Sequence, residues 1–357
     1  SDITTKKESQ LKLKIIDTPE LLEELITILK AKKNAKKPVA WDTETTSLNP
    51  RQANLVGIGC CWGENITDIA YIPLNHKKGQ QLDFQTVINS LKPILENSDY
   101  PKAFQNTKFD RLVLLTQGIE LTGVTFDTML ASYVLQPEQS HKLSSLSQKY
   151  LTNIIAEDYD SLNLKKGETV ADLEIQQVAE YCGLDAYATF KLVDILQEEL
   201  DQIPDLKPVF ELEMKLEPIL ALMENNGVKI DQEYLHQLSV DLEEKLIKIE
   251  QQAYEDAGEK FNLASPKQLS ELFFEKLGLD KKKSRQTKTG YSTNHAVLEK
   301  LQGDHPVIDQ ILSYRTLAKL KSTYIDTLPT LIEPKTGRLH TNYNQNVTTT
   351  GRLSSSN

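Results

Sequence analysis

The fold is organised around ten residues, Val39-Ala40-Trp41-Asp42-Thr43-Glu44-Thr45-Thr46-Ser47-Leu48. The apolar start of this stretch follows a lysine-rich turn and Pro38, which predicts a buried strand. Asp42 and Glu44 come two residues apart at the end of that strand, so both carboxylates point to the same face. Two carboxylates on one face repel each other unless a cation lies between them, and oxygen ligands suit divalent metal ions. Asp-x-Glu also occurs by chance in acidic proteins. Other residues must therefore decide whether this pair is a metal site or a chance occurrence.

Length and composition bound the class of protein. A chain of 357 residues predicts two or three domains, and 39% apolar with 26% charged residues is typical of a soluble protein. The three cysteines have neither a disulfide framework nor a zinc spacing, which favours a reducing, cytoplasmic compartment. No apolar run reaches the roughly 18 residues of a membrane span, and no signal-peptide pattern opens the sequence. We therefore expect neither secretion nor a membrane partner.

The net charge of −10 is unevenly distributed. From Lys281 to Asn357 there are 12 Lys and Arg against 5 Asp and Glu, whereas the preceding residues are strongly acidic. A basic C-terminal segment on an acidic body predicts that this end binds a polyanion such as DNA. For Lys281-Lys282-Lys283 alone, a solvated loop is an alternative.

The pattern of elements predicts an α/β region followed by a helical one. Up to about residue 200, strands and helices alternate around a mixed sheet. Strands are predicted at 11–16, 39–41, 55–62, 66–73 and 102–104, and helices at 19–33 (with Thr18 as N-cap), 84–95, 104–115 and up to 200. Residues 136–170 are rich in Ser, Lys and Gly and predict a surface excursion containing loops. Beyond that region the sequence predicts long helices at 211–224, 232–258 and from Pro306, with a stop at Asn225-Asn226-Gly227.

Two further pairs of polar residues lie on predicted helices. Asn106 and Asp110 are four residues apart and share a helical face, although Asn106 is equally suited to be an N-cap. Tyr181 and Asp185 have the same spacing within the long helix that ends at Leu200, where surface decoration is the alternative. Asp127 is predicted to be a helix cap rather than a catalytic acid.

These residues form three motifs in chain order: Asp42-Thr43-Glu44-Thr45, Asn106-x-x-Phe109-Asp110 and Tyr181-x-x-x-Asp185. In that order and spacing the sequence resembles the DEDD exonucleases, in the subclass with tyrosine in the third motif. The resemblance implies a ribonuclease H-like fold. It also implies an exonuclease activity that removes nucleotides from DNA 3′ ends. It also implies two Mg²⁺ ions, replaceable by Mn²⁺, about 3.5–4 Å apart.

The resemblance assigns roles to individual residues. Asp42, Glu44 and Asp185 coordinate one ion, Asp42 bridges to the second ion, Asp110 acts through water, and Tyr181 orients the attacking water. The expected substrate-binding residues are Thr45 and Leu48 at the terminal nucleotide and Asn106 along the strand. For these three residues, cap and core filler are the alternatives.

The second half carries motifs of its own. They are Met223-Glu224-x-x-Gly227-Val228-x-Ile230-Asp231, Ser265-Pro266-Lys267-Gln268-Leu269, Gly290-Tyr291-Ser292-Thr293, the stretch from Tyr314 to Tyr324, Gly337-Arg338-x-His340-Thr341 and Thr350-Gly351-Arg352-Leu353-Ser354-Ser355. Together they resemble the bacterial family A DNA polymerases of the Klenow type. The implied domains are a 3′–5′ exonuclease (1–203), a palm-base helix (204–230), a thumb (231–335) and the start of the palm (336–357).

This resemblance predicts the DNA contacts of the second half. Arg315, Lys319 and Lys321 are expected to contact duplex phosphates, a grip that is independent of sequence and weakened by salt. Arg315 and Lys319 share a helical face, whereas Lys321 lies off it. Arg352 is expected in the minor groove at the primer terminus. A solvated basic face and a polar tail are the alternatives.

The region expected to begin the palm lacks acids. Residues 334–357 contain no Asp or Glu, whereas nucleotidyl transfer requires paired aspartates. We therefore expect proofreading by this chain but polymerisation only with a second polypeptide or a further C-terminal part that carries palm and fingers. The expected partners are a single-stranded DNA 3′ end and a primer–template duplex, in the cytoplasm at the nucleoid. Two other functions stay open: an exonuclease acting on RNA ends, and a DNA-binding scaffold without catalysis.

Overall fold

The computed structural model describes residues 11–288 and 290–356. They form two compact units. The first unit holds the described residues up to Asn226 and again from Thr341 onward, and the second runs from Gly227 to His340. The helix predicted at the palm base and most of the predicted palm start therefore belong to the same unit as the exonuclease region. The finer division into four domains stays a prediction.

In the described part of the first unit, a six-stranded mixed sheet forms the centre, which confirms the α/β fold class. Its strands are β1 (Lys14–Ile15), β2 (Val39–Thr45), β3 (Leu55–Cys61), β4 (Ile69–Pro73), β5 (Lys102–Phe104) and β6 (Val124–Asp127). The spatial order is β1-β4-β3-β2-β5-β6, in which β2 and β4 each pair antiparallel with β3 and the other pairs are parallel. The strand that carries Asp42 and Glu44 thus lies inside the sheet. The short strand β6 has no clear alternation and was not predicted.

In the described part of the first unit, α-helices pack on the sheet and on one another. They are α1 (Pro19–Lys30), α2 (Phe84–Leu95), α3 (Thr107–Thr116), α4 (Thr128–Leu135), α5 (Leu143–Tyr150), α6 (Ile175–Asp201) and α7 (Lys207–Asn226). Thr18 caps α1 through its side chain, as its position before Pro19 predicts. The segment 136–170 contains α5 and a 3₁₀ turn at Tyr159–Leu162 as well as loops.

The two faces of the sheet carry separate apolar cores. Trp41 and Ile58 face α1 and α2, in a core that also holds Leu25 and Leu91. Ala40 faces the other way and packs with residues of α6. Because side chains alternate along β2, Asp42 and Glu44 lie on the same face as Ala40, and therefore on the side of α6.

The second unit is mostly helical. Its elements are β7 (Val228–Lys229), α8 (Gln232–Ala257), α9 (Pro266–Glu271), β8 (Gln286–Thr287), β9 (Gly290–Tyr291), α10 (His295–Leu301), α11 (Pro306–Leu320) and β10 (Arg338–Leu339). Side chains of Asp231 and Ser265 cap α8 and α9. The core of this unit includes Phe273, Leu298 and Ile308. Among the described residues of the chain, no helix combines the length and apolar character needed to cross a membrane.

Candidate active site

One cleft of the first unit gathers the residues of all three sequence motifs. The end of β2, the start of α3 and the middle of α6 each contribute one side of it. Its lining includes all five predicted catalytic residues and three predicted substrate-binding residues: Asp42, Glu44, Asp110, Tyr181, Asp185, Thr45, Leu48 and Asn106. Residues that lie up to 143 positions apart in the sequence therefore share one site.

Hydrogen bonds hold two of the acids within the cleft. Asp110 accepts hydrogen bonds from the backbone nitrogen of Thr43 at 3.1 Å and from its Oγ1 at 2.6 Å. Cys182 Sγ lies 3.2 Å from Asp42 Oδ2, to which the thiol donates. Tyr181 lines the cleft together with Asp185, whose Oδ1 is buried and has no hydrogen-bond partner among the described residues. A buried, unpartnered carboxylate oxygen is costly unless a ligand binds it.

The electrostatics of the cleft favour a bound cation. Burial raises the pKa of Asp42 to about 7. Burial, followed by repulsion from neighbouring carboxylates, raises the pKa values of Glu44, Asp110 and Asp185 well above their ordinary values. In the part of the chain that the structure describes, none of these four carboxylates forms an ion pair with Lys, Arg or His. An uncompensated set of oxygen ligands fits divalent ions such as Mg²⁺ or Mn²⁺.

Asp127 fixes the start of α3 and thereby the base of the cleft. Its carboxylate accepts hydrogen bonds from the backbone nitrogens of Asn106 and Thr107 as well as from those of Met129 and Leu130. The prediction that Asp127 is a helix cap is thus confirmed for α4, and its carboxylate also binds the turn that leads into α3. Asn106 occupies the N-cap position of α3, as the alternative interpretation has it, but its side chain makes no capping hydrogen bond. Its backbone adopts a left-handed conformation with φ of 67°.

Comparison with protein families identifies the first region. Residues 13–201 match the model of the 3′-5′ exonuclease family. The chain belongs to this family. Residues 232–357 match the model of DNA polymerase family A, so the exonuclease domain is followed by part of a polymerase domain.

Individual relatives agree with both matches. DNA polymerase I of Synechocystis sp. is 57% identical over 99% of this chain, and DNA polymerase I of Pseudomonas aeruginosa is 43% identical over 89% of it. The chain spans 36% of the length of each of these relatives. Among solved structures, the POL domain of Pol1 from M. smegmatis in complex with DNA primer-template and dNTP is similar, with a TM-score of 0.74 and 28% identity. That likeness covers 96% of this chain and 54% of the other.

Two of the predicted substrate-binding residues, Thr45 and Leu48, lie at the rim of the exonuclease cleft. Leu48 is 80% exposed, so the alternative in which it fills the core is wrong. Thr45 Oγ1 donates to the carbonyl oxygen of Ser47 at 2.9 Å and so holds the turn that leads to Leu48. Exposed apolar side chains at a cleft rim are suited to contact a nucleobase.

Sequence reasoning missed two aromatic residues of the cleft. Phe109 lines it next to Asp110, and Tyr159 reaches it from the 3₁₀ turn at Tyr159–Leu162. Phe109 was present in the second motif but was given no role. Tyr159 lies in the segment predicted as a loop-containing excursion, where no periodicity or spacing connects it to the acids.

The three basic residues of the second unit that are expected to contact DNA fall into two groups. Arg315 and Lys319 line one pocket, and Arg315 donates to the carbonyl oxygen of Thr293. Burial lowers the pKa of Arg315. Lys321 lies off this face and forms ion pairs with Glu243 at 3.3 Å and Asp326 at 2.9 Å. Contact of these three residues with DNA stays a prediction, and for Lys321 it requires exchange of its two ion pairs. For Arg352, which is exposed in the first unit, contact with the primer terminus also stays a prediction.

The raised pKa values predict how stability depends on pH without metal. The pKa of Asp42 is about 7 in the folded protein against 3.8 ordinarily, so the folded state binds more protons between these values. Its contribution to stability is therefore complete below about pH 4 and is lost as the pH rises through 7. In EDTA we expect Tm of the first unit to fall by at least roughly 5 °C from pH 5 to pH 8, from the usual conversion of pKa shift to Tm.

Differential scanning calorimetry of wild type and Asp42→Asn measures this effect. The variant lacks the titrating group, so its Tm should fall less over the same pH range. Saturating Mg²⁺ should raise the wild-type Tm more at pH 8 than at pH 5. Equal pH dependence of the two proteins in EDTA would contradict the prediction.

Proposed function

We propose that this chain hydrolyses the 3′-terminal phosphodiester of single-stranded DNA with the aid of two divalent ions, Mg²⁺ or Mn²⁺. The observation that carries the proposal is the convergence of Asp42, Glu44, Asp110 and Asp185 with Tyr181 in one cleft. The absence of a basic counterion near the four acids, among the described residues, supports it. When bound, such ions polarise the phosphate and lower the pKa of water.

Individual residues of the cleft have different roles in the proposed hydrolysis. Asp42, Glu44, Asp110 and Asp185 would hold the divalent ions, with Asp42 as the acid between the others in the cleft. The Tyr181 hydroxyl stays protonated because burial and the Asp185 carboxylate raise its pKa. It can therefore donate one hydrogen bond and accept another, which suits it to orient a water molecule. Leu48 and Thr45 would hold the terminal nucleotide and Asn106 the strand that leads to it, with Tyr159 and Phe109 beside them.

The polymerase part of the proposal concerns the second region. We propose that Arg315, Lys319, Lys321 and Arg352 bind primer–template DNA, and that nucleotidyl transfer requires palm and fingers from another polypeptide or a further C-terminal part. One surface supports this. On α7, an apolar stripe is exposed at Leu212, Ile219 and Leu222, which are 62%, 54% and 57% accessible. An exposed stripe of this kind on a helix is suited to bind further protein.

A nuclease assay tests the proposal. Single-stranded DNA labelled at its 5′ end is incubated in Mg²⁺ with the chain or with Asp42→Ala, beside an RNA of the same sequence. A primed template with deoxynucleotides is incubated in parallel. We expect stepwise shortening of DNA by the wild type only, and no extension of the primer.

Each other outcome selects a different function. Preferential shortening of RNA would favour an exonuclease of RNA ends. Absence of metal-dependent cleavage, with binding of the DNA retained, would favour a scaffold without catalysis. Equal cleavage by Asp42→Ala would show that the activity comes from a contaminant or from another site.

A further inference from the structure

We propose that Cys182 is a positioning residue of the ion site, whose thiol holds the Asp42 carboxylate in the orientation that a divalent ion requires. This inference rests on the proposed function. The three-motif pattern gives Cys182 no role, because it occupies one of the unspecified positions between Tyr181 and Asp185.

The contact is direct and buried. Cys182 is fully buried on α6, and its Sγ lies 3.2 Å from Asp42 Oδ2. A second, longer approach of 3.9 Å joins the sulfur to the carbonyl oxygen of Asp42. Ligand atoms of Asp42, Glu44 and Cys182 all lie within 4.8 Å of one another. The thiol is therefore next to the acids of the site and contacts one of them.

The sheet is built to admit this side chain. Gly59 of β3 is the direct partner of Asp42 on β2. A Cβ atom at Gly59 would lie 2.6 Å from Cys182 Sγ and 3.2 Å from the Cys182 carbonyl oxygen. Since a Cβ atom there would collide with the thiol and crowd the backbone of α6, glycine at 59 allows the helix to approach the strand closely at the level of Asp42.

A hydrogen bond to one carboxylate oxygen has a defined consequence. It restricts rotation of the carboxyl group about its last torsion angle, which is otherwise broad. Groups that hydrogen-bond to metal ligands orient them, and their loss typically lowers metal affinity by about 10- to 100-fold. Because a thiol is a weak donor, we expect the lower end of this range for Cys182.

The test measures Mn²⁺ binding by isothermal titration calorimetry and unfolding in EDTA. It compares the whole chain with its Cys182→Ala and Cys182→Ser variants. Cys182→Ala removes the donor and should bind Mn²⁺ about tenfold more weakly. Cys182→Ser keeps a donor and should bind within about threefold of wild type. Cys60→Ala is the matched control, since Cys60 is equally buried but packs in the core on the opposite face of the sheet.

Stability distinguishes positioning from simple packing. If Cys182 only fills space, Mn²⁺ affinity is unchanged in both variants, and the buried hydroxyl makes Cys182→Ser the less stable of the two in EDTA. If Cys182 positions Asp42, Mn²⁺ affinity follows the order wild type, Ser, Ala, whatever the order of stability. Should Cys182→Ser not fold, the comparison of Cys182→Ala with Cys60→Ala decides alone.

The outcomes separate this inference from the proposed function. Wild-type affinity in Cys182→Ala would overturn the inference while leaving the ion site intact. Failure of the wild type to bind Mn²⁺, or equal binding by Asp42→Ala, would overturn the proposed function itself.

Discussion

Asp185→Asn is expected to lower the rate of 3′-end hydrolysis by at least about a thousandfold, because loss of several kcal/mol of charge stabilisation corresponds to that factor. The substitution replaces a carboxylate whose buried Oδ1 has no hydrogen-bond partner among the described residues. An amide is neutral and a poorer ligand of Mg²⁺, so the effect should fall on the rate at saturating DNA. Release of labelled nucleotide from single-stranded DNA, followed at several Mg²⁺ concentrations, measures it.

The same substitution should stabilise the metal-free protein. Burial, and after it repulsion from Asp42, raises the pKa of Asp185, and Asn removes both the buried charge and that repulsion. Thermal unfolding in EDTA at pH 8 should therefore give a higher Tm for Asp185→Asn than for wild type. Glu198→Gln is the matched control, because Glu198 is an exposed acid on the same helix and should change neither quantity. Retained hydrolysis in Asp185→Asn would remove Asp185 from the site.

Glu224→Ala is expected to lower the free energy of unfolding of the first unit by about 3 kcal/mol, as is typical when a buried ion pair loses one partner. Glu224 and Lys108 form an ion pair and are only 4% and 9% exposed. Glu224 also accepts a hydrogen bond from the backbone nitrogen of Tyr343 at 2.7 Å. The variant leaves the Lys108 charge and this N–H group without their carboxylate.

Urea unfolding followed by tryptophan fluorescence measures this loss. Trp41 and Trp62 are both buried in the first unit and report on its unfolding. The double variant Lys108→Met/Glu224→Leu removes both charges and should recover most of the lost stability. Glu211→Ala, on an exposed position of α7, is the control and should change stability by less than about 0.5 kcal/mol. Equal stability of Glu224→Ala and wild type would show that the pair contributes nothing.

The Lys108 contact also relates the exonuclease helix α3 to the final strands of the chain. Lys108 Nζ donates to Asn342 Oδ1 at 2.9 Å, and Asn342 begins β11 (Asn342–Asn344), which pairs with β12 (Ser354–Ser356). Arg111, on the same helix, binds Glu217 of α7 through two hydrogen bonds of 2.8 Å. The helix α3, which carries Asp110, is therefore bound to α7 through Arg111 and to the β11–β12 hairpin through Lys108.

The sequence by itself determined the local features of this protein. Alternation along a strand placed Asp42 and Glu44 on one face, and helical spacing placed Tyr181 beside Asp185. The cap at Thr18 and the stop at Gly227 lie where the sequence predicted them. These features depend on residues a few positions apart, whose geometry the backbone fixes almost alone.

Only the tertiary structure decided which distant groups meet. The sequence could not show that Asp127 holds the turn before α3, that Tyr159 enters the cleft, or that Glu224 neutralises Lys108. The contact of Cys182 with Asp42 likewise depends on how closely α6 approaches the sheet, which Gly59 permits from a third element. Such contacts join residues 20 to 140 positions apart. They depend on packing between elements, and no periodicity or local spacing encodes that packing.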